Sequence, residues 1–143
     1  MAVFYRLYQN NNEKVGQYKM WYGRAVMVNK VTTNDLAKII EANCTVKRAD
    51  ILAVLSELAV VMTKELQDSK RVALDGFGSF RIVLKTMPSA SAREFSAASN
   101  VKSVRILFSP EAHIDSTGRY IKTFLDGCRV AELPKNDVDK TEE

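Results

Sequence analysis

The stretch "RVALDGFGSF", residues 71–80, places two of the chain's 6 glycines on either side of Phe77. Val72 and Leu74 alternate as a strand before it. After it, Phe80, Ile82 and Leu84 line one face of a second strand, and Ser79, Arg81, Val83 and Lys85 line the other. A chain that reverses this tightly needs residues tolerant of unusual backbone angles, and Gly76 and Gly78 supply them. The spacing therefore predicts a hairpin whose Phe77 drops into the core. The same residues argue against a phosphate-cradling loop, because a GxGxxG pattern would need glycine where Arg81 stands, and no GK[ST] occurs.

Upstream of the hairpin the period changes. Residues 33 to 43 read as a helix that Thr32 can cap, with Asp35 three residues on, Val31 set to staple against Leu36, and Leu36, Ile39 and Ile40 as the buried stripe. A short turn at Cys44 to Val46 leads to a second helix with Asp50 in its first turn, where the dipole favours negative charge. Its apolar residues run from Ile51, Leu52, Val54 and Leu55 to Val61, Met62 and Leu66, more than one packed face requires. The helix is either central to a larger monomer or buried against a second copy of the chain. With so little other helix in the sequence, the second copy is the expected cover. Further upstream, Val3 to Tyr8 and Tyr18 to Val28 read as a strand pair around the polar loop "QNNNEKVGQ".

Downstream, "TMPSASAREFSAASN" is an irregular run of small residues. In "VKSVRILFSP", Val104, Ile106 and Phe108 share one face and Ser103, Arg105 and Leu107 the other, with Pro110 ending the strand. Helix, helix, strand, glycine turn, strand, excursion, strand is the footprint of an α+β domain, a three-stranded antiparallel sheet packed under two helices. The segment from Asp115 to Leu133 has helix-like apolar spacing at Tyr120, Ile121, Phe124 and Leu125 but is interrupted by Gly118 and Gly127, which leaves its structure and role open.

Composition narrows the function classes. The chain has 143 residues, 46% of them apolar, enough for a packed core. No stretch approaches the roughly 18 apolar residues of a membrane span, and the first residues lack a basic and then apolar leader pattern, so the reading is cytoplasmic. Cys44 and Cys128 lie far apart, without CxxC and with His113 as the single histidine, which argues against zinc and a disulfide framework; Asn43-Cys44-Thr45 is read as a chance sequon. Of 21 basic and 17 acidic residues, Glu132 to Glu143 holds 5 acidic and 2 basic. The preceding residues thus carry 19 basic against 12 acidic, a net +7. A basic body with an acidic tail favours a polyanionic partner. His113 has no nucleophile or carboxylate at a recognisable spacing, and Asp50, Glu57 and Glu65 read as exposed helix charges, so no enzyme, cofactor or small-molecule substrate is expected.

From about Thr32 to about Ile114 the chain resembles the bacterial HU and integration-host-factor group of histone-like DNA-binding proteins. "RVALDGFGSFRIVLK" carries most of the resemblance, with "RADILAVL" and "VKSVRILFSPE" agreeing in register. The resemblance implies two interlocked chains whose β-arms reach around double-stranded DNA into the minor groove, at home in the cytoplasmic nucleoid. It divides the chain into an N-terminal strand extension (1–31), an HU-like DNA-binding domain (32–114) and a C-terminal extension with an acidic tail (115–143), similar to a longer-chain variant of the family. Arg81, Lys85, Arg93, Lys102 and Arg105 are then the expected DNA-contacting residues, five cations against Glu94 alone, with Gly76, Phe77 and Gly78 in the structural turn.

The chain departs from the family at the arm. No proline stands at its tip, since Pro88 lies near the base. Phe95 could act as the wedge instead, but a lone aromatic among alanines more often pins a loop onto its own sheet. The resemblance thus supports sequence-tolerant association more than sharp bending. The alternative is an HU-fold interaction module that has lost DNA binding and docks a protein through Phe4, Tyr5, Tyr8, Tyr18, Trp21 and Tyr22, although simple core filling is the preferred reading of those aromatics.

Overall fold

The computed structural model describes residues 1–14 and 16–134; the acidic tail beyond Pro134 lies outside them. In chain order the elements are β1 (Val3–Gln9), β2 (Trp21–Ala25), α1 (Thr33–Asn43), α2 (Arg48–Gln67), β3 (Val72–Leu74), β4 (Gly78–Thr86), α3 (Ala97–Asn100), β5 (Val101–Pro110), β6 (Ala112–Ile114), β7 (Tyr120–Lys122), a 3-10 turn (Thr123–Leu125) and β8 (Val130–Glu132). The architecture is α+β. The chain divides into two units, one of residues Thr33–Asp126 and one that joins Met1–Thr32 to the chain from Gly127 onward.

In the larger unit, β3, β4 and β5 form an antiparallel sheet in that order. The turn between β3 and β4 explains its glycines. Gly76 has φ 82° and Gly78 has φ 136°, both in the region that disfavours side chains. The two are not equivalent. Space around Gly76 is open, whereas a Cβ on Gly78 would lie 2.8 Å from Pro110 Cα, 2.7 Å from Glu111 N and closer still to Ser109 O. Phe77 does not drop into the core as expected. It remains 55% exposed and packs edge-on against Phe124, with centroids 5.9 Å apart.

The β4–β5 register sorts the side chains. Phe80 opposes Phe108, Ile82 opposes Ile106 and Leu84 opposes Val104, which makes one face apolar. The Phe80 and Phe108 rings lie 4.7 Å apart, a cross-strand aromatic pair of the kind that stabilises a sheet beyond its buried area. Phe124 extends this cluster, 6.4 Å from Phe108. The spacing around it looked helical, but residues 112–122 fold as the β6–β7 hairpin. Asp115 closes its loop, with Oδ1 accepting from Thr117 Oγ1 at 2.6 Å, Thr117 N at 2.8 Å and Arg119 N at 2.9 Å. A short side chain that satisfies three local donors competes successfully with helix.

The helices start where the sequence places them. Lys47 gives α2 no side-chain cap; instead the Glu41 carboxylate on α1 accepts from Arg48 N at 3.0 Å. Ile51, Leu55, Leu58, Met62 and Leu66 follow the helical repeat down the covered side of α2. Val54 and Val61 form the neighbouring stripe, and both are exposed, as are Val104 and Ile106 on the sheet. Leu36, Ile39 and Ile40, expected as the buried stripe of α1, are exposed in the single chain as well, and Ala37 is the buried residue of that helix. Among the described residues only three apolar ones, Ala37, Ile51 and Leu66, are buried.

In the other unit, β1 is central. It pairs antiparallel with β2, where Tyr8 opposes Tyr22 and Arg6 opposes Arg24, and parallel with β8, where Val3 opposes Val130. The second strand is shorter than the Tyr18–Val28 run, because residues 16 to 19 are turns tied back to Asn10, whose Nδ2 donates to Gln17 O at 3.3 Å and whose carbonyl accepts from Lys19 N at 2.7 Å. The aromatics here do not simply fill a core, since Tyr8, Tyr18 and Trp21 are exposed.

Candidate nucleic-acid interface

The face of the β3–β4–β5 sheet opposite the phenylalanines is built by the same alternation. Arg81 and Lys85 on β4 fall on it, and Arg105 on β5 lies directly opposite Val83, between them. Diagonal neighbours on adjacent strands lie roughly 7–8 Å apart, so the three cations form one cluster. The rest of this face is Ala73, Ser79, Val83, Ser103, Leu107 and Ser109, with no carboxylate. Arg81, Lys85 and Arg105 are exposed. Like charges so close cost stability unless counterions or a ligand neutralise them, and a phosphate backbone does so while releasing its own counterions.

Lys102 sits where the register slips. Lys85 opposes Ser103 but Thr86 opposes Val101, so Lys102 is the extra, unpaired residue of a β-bulge. A bulge breaks the alternation and re-aims the side chain at the sheet end. Beside Arg81, a cleft of about 560 Å³ runs to the end of α2 and adds Lys70 and Arg71 to its lining. Lys70 is already engaged. Its ammonium donates to Glu65 Oε2 at 2.6 Å and to Asp68 Oδ2 at 3.4 Å, and the Glu65 hydrogen bond and charge hold its pKa above the usual lysine value.

The segment expected to be a β-arm is shaped differently. Pairing of β4 with β5 ends at Thr86 and Val101, and residues 87 to 100 fold back as a closed loop ending in the single turn α3. Its neck is held by Asn100, the buried polar residue among those described. Asn100 Oδ1 accepts from Ser96 N at 3.0 Å, and Nδ2 donates to Met87 O at 3.3 Å and Pro88 O at 3.4 Å. The Asn100 carbonyl accepts from Met87 N at 2.8 Å. Ser96 caps α3, its Oγ accepting from Ser99 N at 3.2 Å. Small polar residues that bond within the loop favour this closed form over an extended ribbon. Arg93 therefore lies exposed in a turn of this loop, outside the β4–β5 pairing, and Phe95 is 45% exposed. The sequence reading missed Asn100. Ser96, a cap residue ahead of "AASN", is the signal that could have marked a helical turn there.

No helix of the described residues is long and apolar enough to cross a membrane, and no three metal-ligating side chains cluster among them.

Known proteins bear on this arrangement in two ways. The chain is similar over 96% of its length to a solved structure from Bacteroides vulgatus ATCC 8482, one that its description assigns provisionally to the bacterial DNA-binding proteins. The TM-score is 0.63 at 13% identity, a likeness of fold alone, and this chain spans 50% of that one. No curated protein matches. The family model "HU domain fused to wHTH, Ig, or Glycine-rich motif" matches residues 1–124. A match that runs from Met1 through β1, β2, α1, α2, the glycine turn and the β6–β7 hairpin places the chain, by its sequence, in the HU-HIG family.

Proposed function

We propose that this protein binds double-stranded DNA without strong sequence preference, as a homodimer, in the manner of a nucleoid-associated protein. The observation that carries the reading is the single-signed face of the β4–β5 pair, where Arg81, Lys85 and Arg105 cluster without a carboxylate, with Lys102 at the adjoining bulge. Such contacts read phosphate and groove shape, which every sequence offers. Arg93, carried on the closed loop, adds a further phosphate contact, while the folded loop supports association more than intercalation.

The bare apolar surface supports the dimer. Val54 and Val61 on α2, Ile39 on α1 and Ile106 on β5 are exposed in the single chain. Full burial of such a side chain contributes about 1.5–3 kcal/mol, and these, between about half and two-thirds exposed, would each contribute a corresponding share if a second copy covered them.

An electrophoretic titration across a salt series tests the reading. With about 6 phosphates engaged per dimer, log affinity falls against log salt with a slope near −5, because each phosphate contributes about −0.9. The variant R81A/K85A/K102A/R105A should bind weakly and with a much shallower slope. Equal slopes for the variant and the unaltered protein would clear these residues of the role.

A further inference from the structure

The unit built on β1, β2 and β8 carries a second basic surface, independent of the sheet assigned to duplex DNA. Its described residues hold Arg6, Lys14, Lys19, Arg24, Lys30 and Arg129 against Glu13 and Glu132. Alternation along β1 puts Arg6 and Tyr8 on one face, and the register sets Arg24 and Tyr22 directly across from them on β2. Glu132 opposes Tyr5, which alternation places on the other face.

These four side chains are arranged rather than scattered. The Tyr8 and Tyr22 rings lie 5.8 Å apart and 29° from parallel. The Arg24 guanidinium sits over the Tyr8 ring, 4.9 Å from its centroid. The Tyr22 hydroxyl donates to Gln17 Oε1 at 2.7 Å, which fixes the ring's far end. An open groove of about 430 Å³ runs beside them, lined by Arg6, Tyr8 and Arg24 together with the apolar Leu7, Val26 and Met27, and by no carboxylate among the described residues.

We propose that this groove binds single-stranded nucleic acid, with unpaired bases stacked on Tyr8 and the Arg24 guanidinium plane and the phosphates held by Arg6 and Arg24. Three features select that ligand. Arg6 and Arg24 stand directly opposite each other, a like-charge pair that an anion between them relieves. A flat aromatic surface backed by a planar cation suits a base face, and stacking is indifferent to which base it is. In a duplex those faces are hidden in the base stack, so only an unpaired strand presents them. An acidic peptide would satisfy the arginines but leave the tyrosine and Met27 surface without a flat partner.

Fluorescence anisotropy on the full chain carrying R81A/K85A/K102A/R105A tests this apart from duplex binding. The probes are labelled oligothymidylate of about 15 nucleotides and an abasic strand of equal length and charge. Oligothymidylate should bind about fivefold or more tightly than the abasic strand, and Arg6→Gln with Arg24→Gln should weaken it about tenfold. Tyr8→Leu should bring the two probes to equal affinity. No binding at low salt, equal affinity of the two strands for the parent, or binding unchanged by the arginine pair would overturn the proposal. Displacement by oligoglutamate as readily as by oligothymidylate would overturn it too. Should Tyr8→Leu fail to fold by circular dichroism, the comparison of the two strands on the parent still decides.

Discussion

The Glu111 carboxylate accepts a 2.6 Å hydrogen bond from the backbone N–H of Gly76, 35 residues earlier in the chain. Glu111 also donates its own N–H to Phe77 O at 2.9 Å, so the residue just past β5 grips the β3–β4 turn from both sides. This grip explains why the glycines differ. Gly76 is needed for its backbone angle, while Gly78 is needed for that and for the absence of a side chain against residues 109 to 111.

Alanine at the two glycines should therefore give unequal losses in urea denaturation. Gly76→Ala pays only for a left-handed backbone, about 1–2 kcal/mol. Gly78→Ala adds an overlap with backbone that cannot swing aside, and should lose the native fold or cost at least about 3 kcal/mol. Equal losses would mean that the close approach of Ser109, Pro110 and Glu111 does not constrain the turn.

Asn100→Leu should open the loop rather than melt the domain. The substitution leaves Ser96 N, Met87 O and Pro88 O without their partner, at about 1–3 kcal/mol. The exposed Arg93 lies within this loop. Trypsin should then cut after Arg93 about tenfold faster than in the unaltered chain, while the melting temperature moves little, because local opening is separate from global unfolding.

A charge placed on the bare stripe of α2 should separate copies of the chain. Val54→Glu changes a residue that is 65% exposed in the single chain, so it costs little if the chain acts alone. In a dimer it buries an unpaired carboxylate. Light scattering should report a dimer for the parent and single chains for the variant, and identical masses would remove the dimer from the reading.

Acid stability should depend on Asp115. The Thr117 hydroxyl, and then the Arg119 backbone N–H, hold its carboxyl below the usual carboxylate range. A group depressed by folding contributes stability above its unfolded pKa, near 3.8, and that stability is lost as pH falls through the lower folded value. Asp115→Asn should therefore lower the melting temperature at neutral pH, and the gap should close as the pH is taken below about 4. A gap of constant size would show that ionisation of this carboxyl is not what closes the β6–β7 loop.

The sequence by itself determined the parts whose cause is local. Period-two alternation put Arg81 and Lys85 on one face of β4 and Phe80 and Ile82 on the other, and left-handed backbone at Gly76 and Gly78 marked the turn between strands. Apolar spacing set the extents of α1 and α2, and the excess on α2 foretold uncovered surface at Val54 and Val61. Only the tertiary structure decided how distant segments meet. Pairing of Val3 with Val130, the seat of Phe124 between Phe77 and Phe108, and the closure of the loop on Asn100 each depend on long-range contacts chosen over competing ones. The helix-like spacing of Tyr120, Ile121, Phe124 and Leu125 was overruled for the same reason: a pattern of side chains constrains which face is apolar, while the chain's other segments determine what that face meets.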